Sequence, residues 1–369
     1  MVDGQQTLVL AGDVMTGRGV DQVLAHPGAA ELAEAYVTDA RTYVRLAERR
    51  FGAVPAPVGP EWPWGDALEV ITARPGAIRV MNLETSITRS EGRAPGKAVH
   101  YRMSPDNLDV LRVAQADVWA LANNHVLDHG TQGLTETLEV LAGAGLAGTG
   151  AGRDAEEAWR PVRVSRPDLG RSVVVCSVAH ESSGVPPSWD ASAGRPGVAL
   201  LPDLEDSTAD ALAQRLDAES SPGDVRVVSI HWGSNWGYDV PPAHRRFSHR
   251  LVDGGIHVVH GHSSHHPRPV EVYRGRLVLH GCGDLVNDYE GITGYEEFRD
   301  DLRLVHLAQL DATGELLELE LVPFRSRRLR LERAVAADAE WLAARLDEAS
   351  RALGSRIETT PGGILRLAR

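Results

Sequence analysis

Short, continuous apolar runs recur along the chain at residues 7–11, 78–81, 118–122, 173–179, 225–230, 256–259 and 277–279, and they read as strands of a buried sheet. Between them, residues 22–50, 104–115 and 131–143 carry mainly helical periodicity, the last closing at Gly143 or Gly145. Strands alternating with helices predict an α/β fold. The proline-rich stretches 55–63 and 183–202 read as surface loops around a pocket. Past Pro323 the pattern changes. Residues 325–333 alternate arginine with Leu329 and Leu331, which predicts a half-buried edge strand whose outward charges discourage aggregation, and a helix follows over 334–353, ended by Gly354. The expected organisation is a main domain over residues 1–325 and a C-terminal extension with a helix over 326–369.

What closes each run changes the picture from fold to chemistry. The first run stops at Gly12-Asp13, the second at Asn82-Leu83-Glu84 and the third at Asn123-Asn124-His125. The next four deliver His180-Glu181, then His231-Trp232-Gly233, then His260-Gly261-His262 with His265 beyond, and finally Gly283-Asp284. Ligands in open α/β sheets bind outside the carboxyl ends of the strands, so these ends converge on one expected pocket. Asp13, Glu84, Asn124, His231, His262 and His265 supply the carboxylate, amide and imidazole donors that one or two Mn²⁺, Fe²⁺ or Zn²⁺ ions need. Asp128 is expected to orient His125 or to cap the next helix. Arg18 offers a guanidinium suited to phosphate or carboxylate, with a surface ion pair as the alternative, and Arg102 in His100-Tyr101-Arg102 either faces the pocket or forms a loop salt bridge. His260 and His280, inside apolar runs, read as satisfied core histidines, and His249 and His266 as solvated.

Composition then removes other classes. With 43% hydrophobic and 24% charged residues the chain is an ordinary globular protein, and its formal charge of −13 disfavours nucleic acid and anionic membranes as partners. Cys176 and Cys282 lie in apolar runs and read as buried free thiols. The N-terminus has no basic region and only a short apolar run, and no segment approaches the length of a membrane span, which predicts a cytoplasmic protein.

Taken together, Gly12-Asp13-Val14-Met15 with Arg18, Asn82-Leu83-Glu84, Asn123-Asn124-His125 with Asp128 and Gly130, His231-Trp232-Gly233, and Gly261-His262 with His265 and the segment 269–275 resemble the successive motifs of the CapA (capsule and poly-gamma-glutamate biosynthesis) family over roughly residues 5–325. That family is similar to calcineurin-like metallophosphoesterases, so the resemblance implies a four-layer α/β/β/α sandwich. It also implies a metal-dependent hydrolase acting on a small or oligomeric anionic substrate. By the same resemblance Asp13 and His265 would hold one metal, and Asn124, His231 and His262 the other, with Glu84 bridging and His125 as the acid near the leaving group. Met15 stands where the wider superfamily has a histidine, and Glu84 where it has an aspartate. Phosphate esters come first as substrates and gamma-glutamyl amides second. A metal-stabilised binding protein in polymer assembly is the non-enzymatic alternative.

Overall fold

The computed structural model describes residues 4–368, so residues 1–3 and 369, the outer ends of the two expected segments, lie outside the described residues. The apolar runs form strands β1 (Gln6–Val14), β2 (Ile78–Leu83), β3 (Val118–Ala120), β4 (Arg171–His180), β5 (Val225–His231), β6 (Val258–His262), β7 (Val270–Tyr273), β8 (Arg276–Leu279) and β9 (Asp284–Val286). Three long or late additions follow: β10 (Leu302–Leu310), β11 (Leu316–Ser326), and the C-terminal pair β12 (Arg356–Thr359) and β13 (Leu365–Ala368). The fold is mixed α/β with two large sheets. One runs β12-β13-β11-β10-β1-β2-β3 and ends at the short strand Gly148–Thr149, with β9 also paired to β1. The other runs from Leu200–Leu201 through β4-β5-β6-β8-β7.

Successive strand residues point to opposite faces, and both faces are apolar here. Leu8 and Leu10 of β1, with Leu304 of β10 and Leu321 of β11, share a core with Val173 and Val175 of β4, Val225 and Val227 of β5 and Leu277 of β8, so the two sheets meet across it. The alternate residues Val9 and Ala11 of β1 and Met81 of β2 pack instead with Leu134 and Leu141 of the helix Gly130–Gly143. On the other sheet, Cys176, Val228 and Ile230 pack with two further helices. The principal helices are α1 (Arg18–Val23), α2 (Arg41–Phe51), α3 (Gly130–Gly143), α4 (Asp206–Ala218), α5 (Pro242–Asp253) and α6 (Ala336–Arg351). Both cysteines are free and buried.

Three local expectations are corrected. Residues 22–50 do not form one helical stretch: α1 ends at Val23, and α2 starts only at Arg41. Pro27-Gly28 lies between them, where a proline lacks the amide hydrogen and disfavours helix in the residue before it. Residues 104–115 likewise reduce to the 3₁₀ turn Pro105–Asn107, capped by Ser104, and the single turn Asp109–Arg112. Residues 325–333 are not one strand. The chain leaves β11 at Ser326, turns through Arg328 and Leu329 at φ of 59° and 54°, and returns as the strand Leu331–Arg333. Glu290 supports that turn by accepting the Arg328 and Leu329 amides at 2.7 and 2.6 Å.

The C-terminal residues add the expected helix as α6. They also extend the first sheet, with Leu321 of β11 opposite Leu365 of β13. No helix among the described residues is long and apolar enough to cross a membrane.

Candidate metal centre

Strand register does most of the assembly. Pairing between β1 and β2 shifts between Ala11 and Asp13, which sets Asp13 opposite Asn82 on one side and opposite Asp284 of β9 on the other. A Cβ at Gly12 would come within 1.9 Å of the Gly283 carbonyl oxygen, so only glycine lets β1 approach the turn that delivers Asp284. In the second sheet, β5 and β6 run parallel with His231 directly opposite His262. Just past β6, Ser263 takes a φ of 103°, a strained value for a residue with a side chain, and its amide donates to Asp13 Oδ2 at 3.2 Å.

The side chains close around these strand ends. Asp13, His231 and His262 bring one ligating atom each to within 4.8 Å of one another, and so do Asp13, His265 and Asp284. All five residues are buried. Asn82 holds the neighbouring carboxylates with one amide nitrogen, which donates to Asp13 Oδ1 at 2.7 Å and to Glu84 Oε2 at 2.9 Å. His231 Nε2 lies 3.2 Å from Asn124 Oδ1 and 3.9 Å from Glu84 Oε1. His262 Nε2 lies 2.9 Å from Ser229 Oγ, while its Nδ1 lies 2.8 Å from His231 Nδ1. His265 Nδ1 lies 3.0 Å from Asp284 Oδ1, with Asn235 Nδ2 3.0 Å from its other ring nitrogen.

Beside this cluster, Asn123 shapes the turn that projects Asn124 and His125. Its side-chain oxygen accepts the His125 and Val126 amides at 3.1 and 3.0 Å. His125 Nδ1 sits 2.6 Å from Asp128 Oδ2, and His125 Nε2 sits 3.8 Å from Glu84 Oε1. A cavity of about 220 Å³ opens over the group, lined by Glu84, Lys97, Asn124, His125, Asn235, Ser263, His265 and Tyr289 among others. A larger groove of about 640 Å³ beside the C-terminal hairpin contains no histidine.

Electrostatics follow from burial and from crowded carboxylates. Burial, then Asp284, pushes Asp13 up to about 7. Glu84 is raised well above the usual carboxylate range by burial and then by Asp13. Burial acts against ionisation of Asp284 as well, yet His265 and Arg303 hold it below the ordinary value, and Asp284 in turn keeps His265 raised against its own burial. His231 and His262 are pushed well below 6.5 by burial and by neighbouring imidazoles, so both are neutral donors. His125 is lowered to about 4, chiefly by burial. The neutral imidazoles of His231 and His262 beside the buried, raised carboxyls of Asp13 and Glu84 form a donor set suited to a divalent cation.

Of the residues expected from sequence, Asp13, Glu84, Asn124, His125, Asp128, His231, His262 and His265 come together here. Asp284, seen in the sequence only as a strand end, joins them through the Asp13 register. Lys97 also joins and carried no sequence signal, because it lies on an irregular loop.

The two arginines do not line this cavity. Arg18 is buried, with Nε and Nη2 on Asp288 at 3.2 and 2.5 Å and Nη1 on Glu34 at 2.8 Å, and its guanidinium lies over the rings of Tyr43 and Tyr101 at 3.9 and 4.3 Å. It is a structural ion pair inside the protein and not an open clamp. Arg102 donates to the Ser90 carbonyl at 2.9 Å and borders a separate small cavity.

His260 is a satisfied core histidine, 3.0 Å from both Ser229 Oγ and the Ala11 carbonyl oxygen, and His280 is buried against Glu271. His266, expected to be solvated, is buried and stacks on Trp236 and Phe298. The loop 55–63 is tied away from the cavity through the Val58 amide to Val23 and Trp62 Nε1 to Arg328, whereas the 183–202 segment reaches it, with the Trp189 ring against Lys97.

Comparison with known proteins gives the family of the chain. Residues 7–289 match the family described as bacterial capsule synthesis protein PGA_cap. A "Probable polyglutamine synthesis accessory protein" of Mycobacterium tuberculosis (strain ATCC 25618 / H37Rv) is 51% identical over 365 residues, 98% of this chain and 95% of that protein. The "PGA biosynthesis protein CapA" of Bacillus subtilis (strain 168) is 25% identical over 234 residues, 63% of this chain and 58% of its own length. The "Capsule biosynthesis protein CapA" of Bacillus anthracis is 23% identical over 193 residues, 52% of this chain and 45% of that protein. With the family match spanning most of the chain and a relative matching nearly all of it, this chain belongs to the CapA family of bacterial capsule synthesis proteins.

Proposed function

We propose that the protein is a metal-dependent hydrolase acting on anionic substrates of capsule or poly-glutamate biosynthesis, with the four-layer α/β/β/α architecture of calcineurin-like metallophosphoesterases. The observation that carries this reading is the pair of buried donor triads that share Asp13. One cation would take Asp13, His265 and Asp284, and a second Asp13, His231 and His262, with Asn124 and Glu84 alongside. All of these residues precede 326, which leaves residues 326–369 a structural extension. When bound, a cation of the Mn²⁺, Fe²⁺ or Zn²⁺ class supplies Lewis-acid polarisation and activates water as a nucleophile.

The chain's own residues perform the rest. Asn82 fixes the angle of Asp13 and Glu84 with its two short hydrogen bonds. Asp128 holds His125 in the tautomer that carries its hydrogen on Nδ1, which leaves Nε2 as the proton-transfer atom on the cavity side. Because burial lowers His125 to about 4, the ring enters the reaction neutral; Nε2 accepts the proton that the attacking water gives up and passes that proton to the leaving group.

Phosphate esters rank ahead of gamma-glutamyl amides, since a dinuclear centre stabilises the charge that develops on a transferred phosphoryl group. The decisive assay incubates Mn²⁺-loaded protein with aryl phosphate mono- and diesters and with gamma-glutamyl peptides, using Asp13→Asn as control. Ester turnover lost in Asp13→Asn supports the reading, and turnover of peptides alone reverses the order of substrates. A second reading, a metal-stabilised binding protein, draws on the word "accessory" in the name of the 51%-identical relative. Absence of any turnover, together with polymer binding that survives metal removal, favours it.

A further inference from the structure

Lys97 lies on the irregular segment between the short strands Ser86–Ile87 and Arg102–Met103, and its side chain is 12% exposed where it lines the cavity. A lysine ammonium has three donors and no acceptor. The ammonium forms an ion pair with Asp128 Oδ1 at 2.5 Å and donates to the Asn124 carbonyl oxygen, while the Trp189 ring covers the cation with its centroid 4.9 Å away. The His125 Nδ1 atom is 3.4 Å from the ammonium, but it already has Asp128 Oδ2 at 2.6 Å. The strong acceptors of Lys97 are therefore protein groups, and the cation is committed before any anionic substrate arrives.

Those acceptors are the carboxylate that orients His125 and the main chain of the residue before it. Asp128 Oδ2 also accepts the Tyr101 amide at 2.7 Å, so one oxygen serves two donors while the other has the Lys97 ammonium as its partner. Without that ammonium, a buried carboxylate with one oxygen free of any charged partner can rotate, and the imidazole hydrogen-bonded to it turns too.

We propose that Lys97 is a positioning residue: it pins Asp128 and the Asn124 carbonyl so that His125 keeps Nδ1–H on Asp128 and Nε2 toward the cavity. The inference deepens the hydrolytic reading above and rests on it for its kinetic consequence.

The test compares wild type, Lys97→Ala and Lys97→Arg as Zn²⁺-loaded full-length protein, with an aryl phosphate diester as probe. Metal content and melting behaviour are measured alongside. In Lys97→Ala the metal content stays full, kcat falls about 10- to 100-fold, the range typical of groups that orient metal-site ligands, and KM changes little. Lys97→Arg recovers most of the loss. Side-chain ¹⁵N–¹H NMR adds a readout independent of turnover: a downfield His125 Nδ1 proton present in wild type and Lys97→Arg is lost in Lys97→Ala. A raised KM with unchanged kcat overturns the proposal in favour of a substrate clamp, and loss of metal together with activity overturns it in favour of a purely structural tie. Wild type that binds metal but turns over no probe counts against the hydrolytic reading instead. The NMR signal then decides Lys97 alone, and an unchanged His125 proton in Lys97→Ala overturns the positioning role.

Discussion

Replacing Arg18 by methionine separates a structural arginine from a substrate clamp. Its guanidinium neutralises two carboxylates whose side chains are 0% and 7% exposed, Asp288 and Glu34, and it stacks on Tyr43 and Tyr101. Removing one partner of a buried ion pair costs about 3–5 kcal/mol, because the remaining charge is left uncompensated. Here two acids are left, but each keeps a neutral donor: the Gly19 amide donates to Asp288 at 2.8 Å, and the Tyr43 hydroxyl donates to Glu34. The expected loss is therefore about 4 kcal/mol, near the middle of that range. Urea unfolding at fixed metal concentration measures it. The double variant Arg18→Met/Asp288→Asn should recover at least about 1 kcal/mol, since contacting residues couple by 0.5–3 kcal/mol in such cycles. A loss below about 1 kcal/mol, paired with a raised KM for an anionic substrate, would refute the reasoning and return Arg18 to the clamp role expected from sequence.

Asp284→Asn should weaken divalent-metal affinity at least about 10- to 100-fold in a chelator competition, and unchanged affinity would remove Asp284 from the centre. His125→Ala should keep its metal and lose turnover by about 10²- to 10⁴-fold, whereas loss of metal would make His125 a ligand. Stability of the metal-free protein should fall as the pH drops from about 6.5 toward 4. His257, His260 and His266 are lowered to about 4, and His244 and His306 to about 3, all chiefly by burial, so the unfolded chain takes up protons there that the folded chain refuses. Asp13, raised to about 7, acts in the opposite sense over the same window, as do the raised Glu84 and His265, but these are outnumbered by the lowered histidines. Denaturation midpoints at pH 7, 6 and 5 test the sign, and a midpoint that rises on acidification contradicts it.

Most of the donors were legible in the sequence because they close apolar runs, and the parallel strands of each sheet bring such ends together at one rim. Asp284 was visible as a strand end, but its partnership with Asp13 depends on the register shift at Gly12, a feature of pairing that no local pattern encodes. Lys97 was hidden for another reason: it sits on a loop without periodicity, and its role comes from Asp128, which is 31 positions further along the sequence. Arg18 was misread because its partners Glu34 and Asp288 lie 16 and 270 residues away, too far for any helical or strand spacing to mark it as neutralised. The break between α1 and α2 had a local signal in Pro27-Gly28, which the periodicity of residues 22–50 overrode.

The donors of the centre come from both sheets: Asp13, Glu84, Asn124 and Asp284 from the first, His231 and His262 from the second. A cation held there would gauge the spacing between two layers that share the core around Leu8, Val175 and Val227 and also meet where His260 reaches the Ala11 carbonyl oxygen. A cation grips donors over a tolerance of tenths of an ångström, while a deleted methyl in a close-packed interior lets its walls shift by comparable amounts. Substitutions such as Val227→Ala, far from any donor, should then register first as weakened metal binding and only later as unfolding. Metal affinity would then be a readout of core packing.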